Sequence, residues 1–279
     1  MNSTFTFHSP AKINLDLKVI DKNSDGYHLI ESNFQILNFY DQIEVKQTNL
    51  KKIKFKTDIC SLNNSENIVF KVIDVMDQYK KKEVGLNIFL KKKIPIGSGL
   101  GGGSSNAASV LLILNYFYNS NLKIEYLKGI AKNLGADVPF FLDGYNCFVS
   151  GIGEVLKRVK RKKKFYLLFF PGVNCSTKKV FDAFKFNNSL DNFSKKNELK
   201  YAIFDCYPEL KKIYNYINKT IPVDFSGSGS TFFAEFDNYK DAEFYKNSIR
   251  IRFPCIITGG LESNPVHLKL KEMGSGQVG

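Results

Sequence analysis

Glycine, lysine and aspartate are the residues whose order in this chain points to chemistry. Ile94-Pro-Ile-Gly-Ser-Gly-Leu-Gly-Gly-Gly-Ser-Ser-Asn-Ala-Ala108 gathers Gly97, Gly99, Gly101, Gly102 and Gly103 around Leu100, ahead of Ser104 and Ser105. Residues without a Cβ let backbone N–H groups approach an anion closely, and a following helix N-terminus adds partial positive charge. A phosphate is the natural occupant. Asp137, in Leu134-Gly-Ala-Asp-Val-Pro-Phe-Phe141, reads either as a proton-accepting carboxylate or as the N-cap of a short turn opened by Pro139. Lys12, Asn14 and Asp16 alternate with apolar residues and share one strand face, as polar lining or as a solvent face. Tyr27 and His28 follow a turn signal at Asp25-Gly26, as a recognition pair or as the end of a hairpin.

The glycine run admits several readings. Gly97, Gly99 and Gly102 satisfy G-x-G-x-x-G, a weak dinucleotide signal, but a long non-Rossmann region precedes them. No Gly-Lys-Ser/Thr closes the loop, and no His-Arg-Asp or Asp-Phe-Gly follows, so Walker and protein-kinase loops are excluded. A plain connecting turn would carry five glycines at a large entropic cost.

The elements that must position these residues follow from periodicity. Val84–Leu90 alternates as a strand, and Ala107, Val110, Leu111, Leu114 and Phe117 recur at helical spacing, so the loop joins strand to helix with Ser104 or Ser105 as N-cap. Phe5–Ile20 reads as a strand, a break at Pro10 and a second strand; Phe34–Val45 is also strand-like. Lys51–Asn64 reads as a hairpin plus loop, and Asn67–Tyr79 as an amphipathic helix capped by Asn67. Ile124–Leu134 is a helix stopped by Gly135, and Cys147–Leu156 supplies closing strands. Beyond a basic turn come a strand in Phe165–Val173, a helix in Thr177–Phe184 with Phe181 on its core side, and a polar linker from Asn187 to Asn197. Helices over Asn197–Phe204, Glu209–Asn218 and Lys240–Ile249, a glycine turn into a strand over Phe225–Phe236, a strand over Phe253–Thr258 and a disordered tail from Met273 complete the expectation. These patterns alone support a mixed α and β enzyme that binds phosphate.

The segment from Pro95 to Ala108 resembles the phosphate loop of the galactokinase, homoserine kinase, mevalonate kinase and phosphomevalonate kinase superfamily. The triple glycine before Ser-Ser-Asn-Ala-Ala, with Pro-Ala-Lys-Ile-Asn-Leu, Asp-Gly-Tyr-His and Leu-Gly-Ala-Asp-Val-Pro-Phe-Phe, is similar to one branch, the 4-diphosphocytidyl-2-C-methyl-D-erythritol kinases. The resemblance implies an α+β, two-lobed small-molecule kinase, with lobes over 1–160 and 161–279 and the active site between them. It implies ATP and Mg²⁺ as cofactors, Lys12 and Asp137 as the catalytic pair, and ATP contacts from Gly97 to Ser105 with Asn67 near adenine and Lys92 as a further nucleotide contact. It places Asn14, Tyr27, His28, Thr177 and Phe181 on a cytidylyl substrate, the two aromatics stacking on cytosine. Ser105 is an open choice as metal ligand. A same-fold kinase for mevalonate or homoserine, or a non-catalytic nucleotide-binding protein, is the alternative. Asp-Gly-Tyr-His and the second aromatic argue against the first, and the presence of both Lys12 and Asp137 argues against the second.

The chain of 279 residues is long enough for a substantial core, with a net charge of +13. Of the 40 basic residues only Arg158, Arg161, Arg250 and Arg252 are arginine, and the run Lys157–Lys164 reads as a solvated turn, so dedicated nucleic-acid binding is not expected. No apolar run reaches the roughly 18 residues of a membrane span, and the first residues lack the pattern of a signal peptide. Five scattered cysteines without a C-x-x-C pair suit a reducing cytoplasm. A monomer or weak homodimer is expected.

Overall fold

The computed structural model describes residues 3–186 and 196–274. Most of the linker expected from Asn187 and most of the tail expected from Met273 lie outside them. A long strand, β3 (His28–Thr48), is the spine of the first sheet. Its buried positions include Phe34, Ile36, Leu37, Ile43 and Val45, and it pairs antiparallel with β1 (Thr4–Asn14), β2 (Lys18–Lys22), β5 (Gly85–Lys91) and β6 (Cys147–Gly151). β6 also pairs with β7 (Val155–Arg158). β4 (Ile53–Thr57) joins the edge parallel to β5. This replaces the hairpin expected over Lys51–Asn64: α1 (Ile68–Asp77) crosses between β4 and β5, and such a crossover permits parallel pairing.

Proline does not break β1. The strand runs through Pro10, and the register slips between Pro10 and Lys12. Such a bulge absorbs the missing N–H donor and re-aims the side chains that follow. Against this sheet pack α1, α2 (Gly102–Phe117), α3 (Ile124–Lys132) and α4 (Val138–Asp143). Every residue of α2 from Ser105 to Leu114 is buried, so this helix is enclosed on all sides rather than amphipathic.

A second, antiparallel sheet has the order β11 (Cys255–Gly259), β8 (Phe165–Phe169), β10 (Phe232–Phe236), β9 (Asp224–Phe225). Its apolar core includes residues of α5 (Thr177–Ala183), α6 (Lys200–Cys206), α7 (Pro208–Asn218) and α8 (Tyr239–Ser248). A third cluster joins the two sheets: Ala11, Ile13, Leu37, Ile94 and Leu100 meet Tyr166, Leu168 and Phe233.

After β11 the chain returns to the first sheet. Leu261 N donates to Ile36 O at 2.8 Å, and α9 (Pro265–Glu272) buries Val266 and Leu270 in the first core. The sequence reading contained no helix here. Its signals are Asn264 as N-cap, accepting from Val266 N at 3.0 Å, Pro265 in the first turn, and Val266 and Leu270 four apart.

Candidate active site

Lys12 lies just past the β1 bulge and is 4% exposed. Its Nζ donates to Asn14 Oδ1 at 2.6 Å and lies 3.3 Å from Asp137 Oδ2, above the Phe34 ring. Asn14 Nδ2 in turn donates to Ser32 Oγ at 2.9 Å, so the amide is oriented by β3. Asp16 lies beyond the end of β1 and is spent locally, accepting from the backbone and side-chain nitrogens of Asn33 at 2.6 Å each. The shared face thus divides. Lys12 and Asn14 line the site, whereas Asp16 fastens the turn.

Asp137 occupies the residue preceding α4, but its carboxylate makes no capping hydrogen bond and its backbone is right-handed helical rather than extended. Capping is therefore not what this carboxylate does. Its side chain is 27% exposed, against 5% for Lys12, so a buried cation holds a carboxylate that still meets solvent. The rest of α4 is enclosed, and at its far end Asp143 is clamped by Lys128 and by Arg158 Nε at 2.9 Å. Burial alone would raise the Asp143 carboxyl, but the Arg158 and Lys128 hydrogen bonds prevail and hold it below the usual carboxylate range.

The glycine loop reaches this pair from the other side. Lys12 N donates to Leu100 O at 3.0 Å, and a Cβ on Gly101 would stand 3.2 Å from Lys12 Cε. Gly101, at φ +69°, is itself the N-cap of α2, without any side-chain cap. Ser104 and Ser105 are therefore not caps but lie inside the first turns of the helix. Ser105 Oγ is buried against Ser9 Oγ at 2.8 Å, whereas Ser104 stays partly exposed. A Cβ on Gly103 would meet no protein atom within 4 Å, so open room borders uncapped helix N–H groups, which fits an anionic ligand. Leu100 contributes backbone here, because its side chain is core.

Gly99 shows why no other residue serves. At φ +76° a Cβ would stand 2.2 Å from Ser226 O and 2.7 Å from Gly229 O. Gly97 is closed in likewise, by the Asn174 side chain. Ser226, within the glycine turn over Phe225–Phe236 that by the superfamily resemblance is expected to brace the phosphate side, donates from Oγ to Gly99 O at 3.0 Å and accepts from Asn14 N at 3.2 Å. The glycine turn before β10 thereby braces both the loop and the β1 end. Its sequence mark was the Phe225-Ser-Gly-Ser-Gly-Ser-Thr231 pattern.

The aromatic residues lie further along. Tyr27 is 62% exposed at a turn, its N–H donating to Asn23 Oδ1 at 2.8 Å. The His28 ring lies 5.3 Å from that of Phe181, with Phe184 and Phe186 at 5.9 and 6.3 Å. Phe181 is thus only partly in the second core, its ring also facing His28. Burial, then Lys22, lowers the His28 pKa from 6.5, against the opposing pull of Asp182. Thr177 Oγ1 and Ser228 Oγ are 2.9 Å apart, joining α5 to the glycine turn.

Two of the nucleotide candidates have structural roles, the first of them the cap expected of it. Asn67 caps α1, accepting from Val69 N at 3.0 Å and donating to Leu62 O at 2.9 Å. The Lys92 side chain is enclosed, its ammonium paired with Asp41 at 2.5 Å and Asn106 Oδ1 at 3.0 Å beneath the loop.

A family model for the GHMP kinases N terminal domain matches residues 67–145, the stretch holding the glycine loop and Asp137. The 4-diphosphocytidyl-2-C-methyl-D-erythritol kinase of Pasteurella multocida is 33% identical over 277 residues, covering 96% of this chain and 94% of the relative. The chain belongs to the 4-diphosphocytidyl-2-C-methyl-D-erythritol kinase family. The family's member from Wigglesworthia glossinidia brevipalpis is 37% identical over 284 residues, covering 97% of this chain and 92% of its own. A crystal structure of 4-(cytidine 5'-diphospho)-2C-methyl-D-erythritol kinase superposes with a TM-score of 0.79 at 29% identity, covering 92% of this chain and all of that one. Homoserine kinase from Cytophaga hutchinsonii, at 16% identity and a TM-score of 0.66, shares the fold. The enzyme is an ATP-dependent kinase with the GHMP fold.

Proposed function

We propose that the enzyme transfers the γ-phosphoryl group of ATP to the 2-hydroxyl of 4-diphosphocytidyl-2-C-methyl-D-erythritol, a step toward isoprenoid precursors. The observation that carries this reading is the Lys12–Asp137 pair, 3.3 Å apart, with the aspartate free of any capping bond. The substrate hydroxyl oxygen forms the new bond to phosphorus as the bond to ADP breaks, and its proton passes to Asp137. Lys12, held by Asn14, fixes the carboxylate and offsets negative charge developing on the phosphoryl group. Because such transition states are loose, holding donor and acceptor in line matters as much as the base. Backbone N–H groups of the loop up to Ser104 bind the phosphates, Ser105 N being already given to Gly101 O at 2.9 Å. A magnesium ion bound with the nucleotide would neutralise phosphate charge, and Ser105, the hydroxyl left open as its ligand, lies at the loop's end with its Oγ 2.8 Å from Ser9 Oγ.

At the other end Tyr27 and Phe181 offer ring faces to cytosine and His28 its ring nitrogens, with Asn14 and Thr177 along the path. The reading includes lobes over 1–160 and 161–279, each completed by a segment of the other, Val266 and Leu270 in the first core and Leu17 and Val19 in the second, together with a cytoplasmic enzyme and a monomer or weak homodimer. Among the described residues no helix is long and apolar enough to cross a membrane.

A coupled ADP-release assay with MgATP tests it, offering the cytidylyl substrate, mevalonate and homoserine in parallel. Selective turnover of the first is expected, and Asp137→Asn should lower that turnover about 10²- to 10⁴-fold. Preferential turnover of mevalonate or homoserine would overturn the substrate, and an Asp137→Asn enzyme within a few-fold of wild type would overturn the base.

A further inference from the structure

Beneath the glycine loop lies a carboxylate that no part of the proposed chemistry uses. Asp41, on β3, is 0% exposed. One oxygen accepts from Lys93 N at 2.7 Å and Ile94 N at 2.8 Å, the backbone that enters the loop. The other accepts from Lys92 Nζ at 2.5 Å and from Asn106 Nδ2 at 3.0 Å, the latter on α2 just beyond the loop's exit. Lys92 Nζ also donates to Asn106 Oδ1 at 3.0 Å and would stand 3.2 Å from a Cβ on Gly102. From Asn106 the network continues to Ser9 Oγ at 3.0 Å and on to Ser105 Oγ at 2.8 Å.

We propose that Asp41 is a positioning residue for nucleotide binding, one buried carboxylate that staples the entry and the exit of the glycine loop together. Five glycines give the intervening segment a large conformational entropy, which would otherwise be lost when the phosphates bind. Fixing both ends in the free enzyme moves that loss into folding, and a pre-ordered loop binds more tightly. Asn106 is the second half of the device, because its amide both donates to Asp41 and accepts from Lys92. The donor pattern also explains why a carboxylate is needed at position 41. Four donors converge on it, two of them from the backbone and unable to adapt.

The proposal rests on the reading that this loop holds the ATP phosphates, and one experiment separates the two. Hydrogen–deuterium exchange of residues 97–105 is followed in the wild type with and without a non-hydrolysable ATP analogue and magnesium. Titration calorimetry then gives the analogue's affinity for the wild type, Asp41→Asn, Asn106→Ala and the exchange Asp41→Asn with Asn106→Asp. Asp41→Asn should weaken binding about tenfold or more, and Asn106→Ala about three- to tenfold. The exchange returns the carboxylate to the network, so affinity within about threefold of wild type is expected. A purely structural role would lower thermal midpoints while leaving the dissociation constant of the folded protein unmoved. Wild-type amides unprotected by the analogue would overturn the reading of the loop and the proposal with it. Protected amides with unchanged affinity in the folded variants would overturn the staple alone. If Asp41→Asn does not fold, Asn106→Ala and the exchange decide by the same criteria.

Discussion

The two ends of the cleft are built on different plans. At the phosphate end Ser98, Leu100, Ser105 and Asn106 are buried, Gly97 and Gly99 have no room for a side chain, and Ser226 ties the loop to the second sheet. At the aromatic end Tyr27 is 62% exposed, and backbone bonds to Asn23 hold it rather than packing. On the proposed reading the phosphate end is finished on folding, whereas the base end would be finished by its ligand. A change at the first should therefore cost stability and nucleotide affinity together. A change at the second should cost only recognition of the acceptor.

The largest effect expected on this contrast comes from Gly99→Ala. A methyl group 2.2 Å from Ser226 O, on backbone at φ +76°, should cost roughly 2–4 kcal/mol of unfolding free energy in a denaturant titration. Loss of ATP affinity should accompany it. A variant as stable as wild type would break the account of the phosphate end. Tyr27→Ala comes next. The Michaelis constant for the cytidylyl substrate should rise about 5- to 150-fold, the equivalent of about 1–3 kcal/mol per stacked base. Stability should stay within about 0.5 kcal/mol, as for a surface site. A large stability loss there would erase the distinction between the ends.

The smallest effect is a pH dependence. Burial and then Lys22 lower the His28 pKa below 6.5, so the ring is neutral at pH 7. As pH falls below about 6.5 an unfolded chain takes up this proton before the folded one does, so the group subtracts stability on acidification and contributes nothing above. The Michaelis constant for the cytidylyl substrate should accordingly be flat from pH 7 to about 8.5 and rise only on the acid side. A constant that instead falls as pH drops from 8 to 7 would mean that the ring reads the base as a cation.

The phosphate end was the more legible of the two in sequence, because backbone geometry selects residue types directly. Five glycines, a strand before them and a helix after them have few other uses. Lys12 and Asp137 were legible as a pair only through their motifs, since the 124 intervening positions carry no local sign that they meet. What stayed hidden depended on contacts distant in sequence. β4 pairs parallel to β5 because α1 lies between them, which composition does not encode. Serine is a good cap by type, yet a left-handed Gly101 takes the N-cap position and offers no side chain to it. Lys92 looked available to a nucleotide because Asp41, its partner, lies 51 residues earlier. The last helix was missed although Asn264-Pro265 opens it in the ordinary way.

The return of α9 to the first core, together with the cluster shared by Leu100, Ile94, Tyr166 and Phe233, makes the molecule topologically closed. Leu17 and Val19, near the start of the chain, lie in the second core, and Val266 and Leu270, near its end, lie in the first. Each half is thus plugged by a piece of the other. A gene divided between β7 and β8 would yield two fragments, each with an apolar hole and a surplus apolar segment. The two sheets that flank the candidate site are therefore clasped by a single chain, each holding a segment from the other's side.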